Sequence, residues 1–221
     1  MPNRKTHPLT RRHLRRPRRK RSRKRPVLKF SPYAWAKLLF LRDLGPTEVG
    51  GFGIAHSDNV LSITDIALVT QRCTEVTVEF DDESVADLFD EHVDLGLRPE
   101  QFARIWIHTH PDVSARPSTV DVETFDRVFS SCDWAIMFIL AKGGETFAQL
   151  HWRQGGPAQL PLSVEVDYSC SFAGTDHAAW EAEYRSRVTD ETEFHMFHES
   201  GPWTWEELNG HPSLPGWEEC P

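Results

Sequence analysis

Residues 102–121 read FARIWIHTHPDVSARPSTVD, and the fold of this chain can be worked out from this stretch. The apolar residues at 102–107 predict a strand that runs directly into His108 and His110. Successive side chains of a strand point to opposite faces, so the two imidazoles are expected on one face. The isoleucines of the strand then point the other way and anchor it in the core. Two imidazoles on one face of a fixed strand can share a metal ion.

The residues after the histidines supply a third ligand. Ser118 lies at the predicted start of a helix over 119–129, and Asp121 falls in the first turn of that helix. Taken alone, Ser-x-x-Asp before an apolar run is typical of a helix capping box. Zinc sites that perform chemistry use three side-chain ligands and leave the fourth position to water. The sequence therefore predicts a zinc centre with His108, His110 and Asp121 as its ligands.

A zinc hydrolase also needs a group that takes a proton from water and passes it to the leaving amine. Glu48 is the candidate, because it precedes the pair Gly50-Gly51 on a predicted β segment. Glycines in a strand allow another backbone or a substrate to approach closely. One glutamate among 33 acidic residues carries little weight by itself, and the downstream motif is what singles it out.

An upstream glutamate followed by H-x-H-x7-S-x2-D resembles the signature of the JAMM metalloproteases, also called the JAB or MPN-plus family. All five positions match without a gap, and the resemblance covers roughly residues 32–166. Residues 47–53 (TEVGGFG) and 106–111 (WIHTHP) are also similar to bacterial JAB domains. The resemblance implies a JAB/MPN-like fold, a cytidine-deaminase-like mixed β-sheet flanked by helices.

The resemblance also implies a role for each motif residue. His108, His110 and Asp121 would hold zinc, Glu48 would act as general acid and base, and Ser118 would help to stabilise the oxyanion. The implied reaction is hydrolysis of the peptide or isopeptide bond after the C-terminus of a ubiquitin-like protein, either to deconjugate it or to process its precursor. Such bacterial enzymes resemble components of operons that also encode E1-like and E2-like enzymes, which would then be partners.

Two alternative functions keep part of this interpretation. One is a JAB peptidase that releases an amino acid from a small sulfur-carrier protein. The other is a non-catalytic MPN scaffold or adaptor. The loop at 111–117 has no insertion, and this favours a compact, prokaryotic-style enzyme.

Periodicity elsewhere predicts one central sheet in an α/β or α+β sandwich. Strands are expected at 48–55, 60–69, 75–80, 102–107, 134–140, 146–152 and 162–166. Helices are expected at 31–45, 82–95, 119–129 and 176–187.

The charge divides the 221 residues into three parts. Residues 1–29 contain 14 of the 25 Lys and Arg and no Asp or Glu, which predicts a disordered basic tail. Such a tail attracts nucleic acid or an acidic surface, and the alternative is a solvated tail without a dedicated partner. The zinc metalloprotease domain is expected over 30–168. An acidic, Trp-rich extension follows over 169–221, whose tryptophans either cover the core or form a partner-binding patch.

The compartment is predicted from what the sequence lacks. No stretch approaches the roughly 18 apolar residues of a membrane span, and the basic N-terminus has no apolar segment of a secretory signal. The four cysteines are scattered without a C-x-x-C pair, so neither a disulfide framework nor a thiolate zinc site is indicated. They are Cys73, Cys132, Cys170 and Cys220. A cytoplasmic, reducing location is expected.

Overall fold

The computed structural model describes residues 25–192, which form a mixed α/β structure. The strands are β1 (Val27–Phe30), β2 (Gly50–His56), β3 (Asn59–Ala67), β4 (Gln71–Cys73), β5 (Val78–Phe80), β6 (Ile105–His110), β7 (Trp134–Ala141), β8 (Thr146–Trp152), β9 (Ala158–Pro161), β10 (Ser163–Val166) and β11 (Val188–Asp190). The helices are α1 (Pro32–Leu44), α2 (Asp82–Asp94), α3 (Pro99–Phe102), α4 (Thr119–Phe129) and α5 (His177–Arg187). No helix within the described range is long and apolar enough to cross a membrane. Most of the predicted basic tail, Cys220 and the tryptophans Trp203, Trp205 and Trp217 lie outside the described residues.

Eight strands form the main sheet, in the order β10-β1-β3-β2-β6-β7-β8-β9. The neighbours β10-β1, β1-β3 and β6-β7 are parallel, and the other neighbouring pairs are antiparallel. A smaller sheet has the order β11-β4-β5. The expected α/β class with a mixed sheet is confirmed, but the single predicted sheet is accompanied by a second one. Strand β6, which carries the motif histidines, lies near the centre of the main sheet.

Helices cover both faces of the main sheet. On one face α1 contributes Leu38 to a buried cluster with Ile105 and Ile107 of β6. On the other face α4 contributes Phe125 to a cluster with Trp106 of the same strand. The side chains of β6 thus alternate between two cores, as the sequence predicted. Because β6 is densely packed on both faces, the side chains that it carries are held in fixed positions.

The folded structure begins before the predicted end of the tail at residue 29. Val27–Phe30 form β1, and its Leu28 and Phe30 side chains are fully buried. The strand runs parallel to β10 on one side and to β3 on the other, so its backbone groups have partners in both directions. The disorder expected for residues 27–29 is therefore wrong. A strand of four residues beside a long basic run is too short to be detected from composition.

The single strand expected at 75–80 is the second half of a hairpin formed by β4 and β5. Its turn is closed by the Thr74 amide, which donates to the Thr77 carbonyl at 3.0 Å, and by a 2.8 Å hydrogen bond between the two threonine hydroxyls. Val76 lies at the tip with its side chain exposed. Glu75 and Val76 of this turn also line the cleft at the candidate site.

The segment after residue 168 packs against the rest of the structure, at least as far as Asp190. Trp180 of α5 is buried and donates its indole N–H to the Tyr33 hydroxyl of α1 at 3.0 Å. Strand β11 pairs in parallel with β4. The domain boundary predicted at 168 therefore does not separate α5 and β11 from the core. Trp180 is the one buried residue of α5, so the sequence of this helix shows only a weak amphipathic pattern.

A buried lysine strengthens the same junction. Lys37 Nζ of α1 lies 2.7 Å from Glu183 Oε2 of α5 and 3.2 Å from Asp65 Oδ1 of β3, and it donates to the Ile66 carbonyl at 2.7 Å. Burial lowers the pKa of Lys37, but the two carboxylates outweigh burial and raise it above its usual value. The ammonium group stays charged and ties α5 to the helix and strand beneath it.

Replacement of Trp180 by Ala should destabilise the whole folded unit, because it empties a buried site and removes the hydrogen bond to Tyr33. We expect the free energy of unfolding to fall by about 3–5 kcal/mol, measured by urea denaturation followed by circular dichroism. Tyr168→Ala is the control, since that side chain is exposed and its loss should cost less than about 0.5 kcal/mol. Equal effects of the two variants would show that α5 is not part of the core.

Candidate metal centre

Strand β6 places the two motif histidines side by side. His108 is fully buried, and His110 lies at the end of the strand with 7% of its surface exposed. His108 is paired with Gly50 of β2 and with Ile139 of β7, so strands on both sides fix its backbone. The predicted common orientation is confirmed, because the two imidazoles belong to one buried group with Glu48 and Asp121.

The helix cap and the third ligand involve the same two residues. The Asp121 amide donates to Ser118 Oγ at 3.1 Å, and the Ser118 amide donates to Asp121 Oδ2 at 2.6 Å, which completes a capping box. The other carboxylate oxygen, Asp121 Oδ1, lies 3.3 Å from His108 Nε2. Ser118-x-x-Asp121 is thus both a helix cap and a part of the histidine cluster.

Glu48 enters the cluster from the residues just before β2. Its amide donates to the Thr74 carbonyl at 2.9 Å. The next residue, Val49, is fixed to β6: its amide donates to Thr109 Oγ1 at 3.0 Å, and its carbonyl accepts from the Thr109 amide at 2.9 Å. The Glu48 carboxylate is buried, and its Oε1 lies 3.6 Å from His110 Nε2.

The distances within the cluster match those between the ligands of one ion. In addition to the distances given above, His110 Nε2 lies 3.5 Å from Asp121 Oδ2. Direct N–H···O hydrogen bonds are shorter, about 2.7–3.2 Å. Zinc bonds of about 2.0–2.2 Å in tetrahedral geometry separate ligand atoms by about 3.3–3.5 Å. One ligand atom from each of the four residues lies within 4.8 Å of the other three, so the group could hold a metal ion.

Several atoms in this cluster are buried without a hydrogen-bond partner among residues 25–192. They are Glu48 Oε2, both ring nitrogens of His108, and His110 Nε2. His110 Nδ1 lies 2.9 Å from the Ser114 carbonyl, which can only accept, so Nδ1 carries a proton and Nε2 is the ring nitrogen that faces the cluster. Histidine ligands are commonly oriented in this way by a carbonyl on the opposite ring nitrogen. Buried polar atoms normally have partners, and a cation would supply one here.

The electrostatics of the cluster also favour a cation. Burial raises the pKa of Glu48 to about 8, although His110 acts in the opposite direction. Burial lowers the pKa of His108, with Asp121 opposing it. Burial would raise the pKa of Asp121, but the two neighbouring imidazoles and the hydrogen bond from the Ser118 amide hold it well below its usual range. An ionised carboxylate beside a neutral imidazole is a suitable pair of metal ligands, and a carboxyl that titrates near neutral pH is suited to proton transfer.

An open cleft of about 710 Å³ leads to this cluster. Glu48 and His110 line it from the cluster, and Ser118 lines it with an exposed side chain. The remaining lining residues come from three places, the segment before Glu48, the turn of the β4–β5 hairpin and the loop after β6, together with one lysine after β7. They are Pro46, Glu75, Val76, Pro111, Asp112, Ser114, Arg116, Pro117 and Lys142. The cleft has the volume of ordinary ligand sites.

The glycines after Glu48 allow close approach, but by the protein itself. A Cβ atom on Gly50 would lie 2.7 Å from Val78 Cγ1 and 2.8 Å from Phe80 Cε1 of β5. A Cβ atom on Gly51 would lie 2.7 Å from the Ala67 carbonyl of β3. Neither position faces open space for a substrate. Gly50 lets β5 of the small sheet pack against β2, and Gly51 lets the end of β3 approach closely.

The structure brings together all five residues predicted for the site, and the residues that support Glu48 were not predicted. Thr109 lies between the two histidines, and a buried hydroxyl needs a partner, so its bond to β2 could have been inferred from the motif. Thr74 contributes only its carbonyl, which no side-chain pattern reveals. Cys73, Cys132 and Cys170 form no disulfide with one another and are absent from the cluster.

No protein-family model and no curated protein matches this chain.

If these residues bind an ion, wild-type protein purified without added metal should retain about one divalent ion per chain by elemental analysis. Asp121→Ala should retain almost none, because it removes a ligand carboxylate. Asp126→Ala is the matched control, since it alters an exposed aspartate of the same helix. Equal metal content in the two variants would exclude Asp121 as a ligand.

Proposed function

We propose that this protein is a zinc-dependent isopeptidase or peptidase of the JAMM type, acting at the C-terminus of a ubiquitin-like protein. The observation that carries the proposal is the convergence of Glu48 with His108, His110 and Asp121 beside an open cleft. These residues come from the segment before β2, from β6 and from α4, and the motif alone predicted that they would meet. A mixed sheet with helices on both faces is compatible with the JAB/MPN fold.

Zinc is the ion we assign to the cluster. His108, His110 and Asp121 would hold it, because two imidazoles and a carboxylate form an established ligand set for catalytic zinc. When bound, zinc lowers the pKa of a coordinated water to about 7 and polarises the substrate carbonyl. The cleft reaches this group at His110 and Glu48, which is the access that a catalytic site requires.

Glu48 is the residue that moves the proton. Its Oε1 is close to His110, whereas its buried Oε2 has no hydrogen-bond partner among the described residues. This carboxylate takes a proton from the attacking water as the C–O bond forms. The same proton is then delivered to the amine nitrogen as the C–N bond breaks. Because the carboxylate is buried, its charge interacts strongly with the reacting atoms.

Ser118 is placed to stabilise the oxyanion. Its Oγ accepts the hydrogen bond from the Asp121 amide, which leaves its own O–H free to donate. The side chain is exposed on the cleft, three residues before Asp121, the first buried residue of α4. A hydroxyl aimed at developing negative charge supplies the stabilisation that acyl-transfer sites need.

The shape of the cleft favours an extended tail as substrate. The turn that carries Glu75 and Val76 and the loop from Pro111 to Ser118 both line the cleft. A slender, extended peptide can enter a cleft of this size more readily than a folded surface can. The C-terminal tail of a ubiquitin-like protein has this character.

Glu48→Gln should retain zinc and lose about 10²- to 10⁴-fold in kcat, because the amide cannot accept the proton. The assay would use ubiquitin-like proteins whose C-terminal glycine is joined to aminomethylcoumarin or to a lysine side chain, and a sulfur carrier with one extra residue. Glu123→Gln, which alters an exposed glutamate of α4 outside the cleft, is the control and should keep its turnover. Unchanged turnover in Glu48→Gln would remove the proposed base, and cleavage of the carrier alone would favour the sulfur-carrier function.

Ser118→Ala should reduce kcat by about 10²-fold through loss of the oxyanion donor. It should also lower the free energy of unfolding by about 1 kcal/mol, because the Asp121 amide loses its cap. Ser118→Thr keeps the hydroxyl and should restore most of both quantities, measured by steady-state kinetics and urea denaturation. A kcat of Ser118→Ala equal to that of wild type would leave Ser118 with the capping role alone.

A further inference from the structure

A buried glutamine joins the strand behind Glu48 to the small sheet. Gln71, the first residue of β4, has 1% of its surface exposed. Its Oε1 accepts from the Gly50 amide at 2.8 Å, and its Nε2 donates to the carbonyls of Gly50 and Val69, both at 2.9 Å. The Cys73 thiol adds a 3.3 Å hydrogen bond to Oε1. Every donor and acceptor of this carboxamide is therefore in use, which rigidifies a buried polar group.

The course of β2 explains why a side chain is needed at this point. In a strand the backbone groups of successive residues turn to opposite neighbours. Val49 directs its amide and carbonyl to Thr109 of β6, so those of Gly50 face the opposite side. On that side the pairing of β2 with β3 ends at Phe52, opposite Ala67. Gly50 would be left with an unpaired buried amide and carbonyl.

The carboxamide of Gln71 replaces the missing strand. It presents a carbonyl and an N–H in one plane, as a peptide group does, and it forms both hydrogen bonds with Gly50. It thereby extends the sheet by one peptide unit beyond the end of β3. An empty position here would cost the desolvation of two backbone groups.

We propose that Gln71 is a positioning residue for Glu48, the catalytic base of the proposed function on which this inference rests. Gly50 lies two residues after Glu48, at most about 7 Å along an extended chain. Thr74, which accepts the Glu48 amide, lies three residues after Gln71. The same short segment, residues 71–74, therefore holds the backbone at Glu48 and at Gly50.

The proposed metal ligands have supports that do not involve this segment. His108 and His110 are held by the pairing of β6 with β7, and Asp121 is held by the cap of α4. A defect at Gln71 should therefore displace the base and leave the ligand set intact. Proton transfer should be impaired while zinc binding is preserved, a combination that general unfolding would not produce.

The test is Gln71→Met in the full-length, zinc-loaded protein. Methionine has a similar length and volume but cannot form any of the amide hydrogen bonds. We expect kcat to fall by about 10- to 100-fold, since a displacement of about 1 Å can have such an effect, with KM and zinc content unchanged. The substrate is the aminomethylcoumarin amide of whichever ubiquitin-like protein the wild type cleaves fastest. Hydrogen exchange of the Gly50 amide, followed by NMR, should be faster than in wild type.

Gln101→Met is the matched control. Gln101 is also buried, and its Oε1 accepts from the Arg98 amide at the start of α3, outside the cleft. This variant should lose stability without losing kcat. If Gln71→Met does not fold, Gln71→Asn provides the second variant, because its amide is one methylene too short to reach both partners and should give a smaller loss of kcat.

The outcomes separate this inference from the proposed function. Normal kcat in the folded Gln71 variant, alongside an inactive Glu48→Gln, would overturn the role of Gln71 and leave the function intact. An equal loss of kcat in Gln101→Met would also overturn it, since the effect would then be general. If wild type and Glu48→Gln are equally inactive on every substrate, the function fails. Hydrogen exchange of the Gly50 amide is then the deciding measurement. An exchange rate in the Gln71 variant equal to that of wild type would overturn the role of Gln71.

Discussion

The structure depends on the burial of four polar side chains at the junction of β2, β6 and α4. Removing carboxylates and imidazoles from water costs on the order of a few kcal/mol each unless other groups replace the water. In this cluster the closest nitrogen–oxygen distances are 3.3–3.6 Å, too long for good hydrogen bonds, and several atoms have no partner in the described residues. A shared cation would offset this cost in a way that packing cannot. The hydrophobic layers on both sides of β6 keep the four groups together.

The two halves of the site are supported by different parts of the chain. The ligands depend on β6 and on the cap of α4, whereas Glu48 depends on the segment 71–74. That segment belongs to the small sheet, where β4 pairs with β11. Strand β11 follows α5 directly, and α5 is held by Trp180 and by the ion pair between Lys37 and Glu183. Residues that were predicted to form a separate extension therefore support the backbone at Glu48.

The motif was predictable because its geometry is local. Strand alternation fixes His108 and His110 on one face, and the capping box fixes Asp121, all within 14 residues.

Strands β1 and β11 were not predictable in the same way. Each is only three or four residues long and pairs in parallel with a strand distant in sequence, Val27 with Ser163 and Val188 with Gln71. Such strands are stabilised by their neighbours more than by their own propensity. Gln71 itself gave no signal, because a polar residue in a short strand is usually a solvated one.

The double use of Asp121 couples metal binding to the start of α4. One carboxylate oxygen accepts from the Ser118 amide, and the other faces His108, so the cap holds the ligand in place before an ion arrives. The positive end of the helix dipole favours the ionised form of this carboxylate, which is the form that binds a cation. Because the cap exists only in the folded chain, an ion held by this cluster would bind the folded state in preference to the unfolded one and would stabilise it. The capping pattern and the ligand pattern in the sequence are consequently two descriptions of a single arrangement, in which the helix cap preorganises the proposed metal ligand.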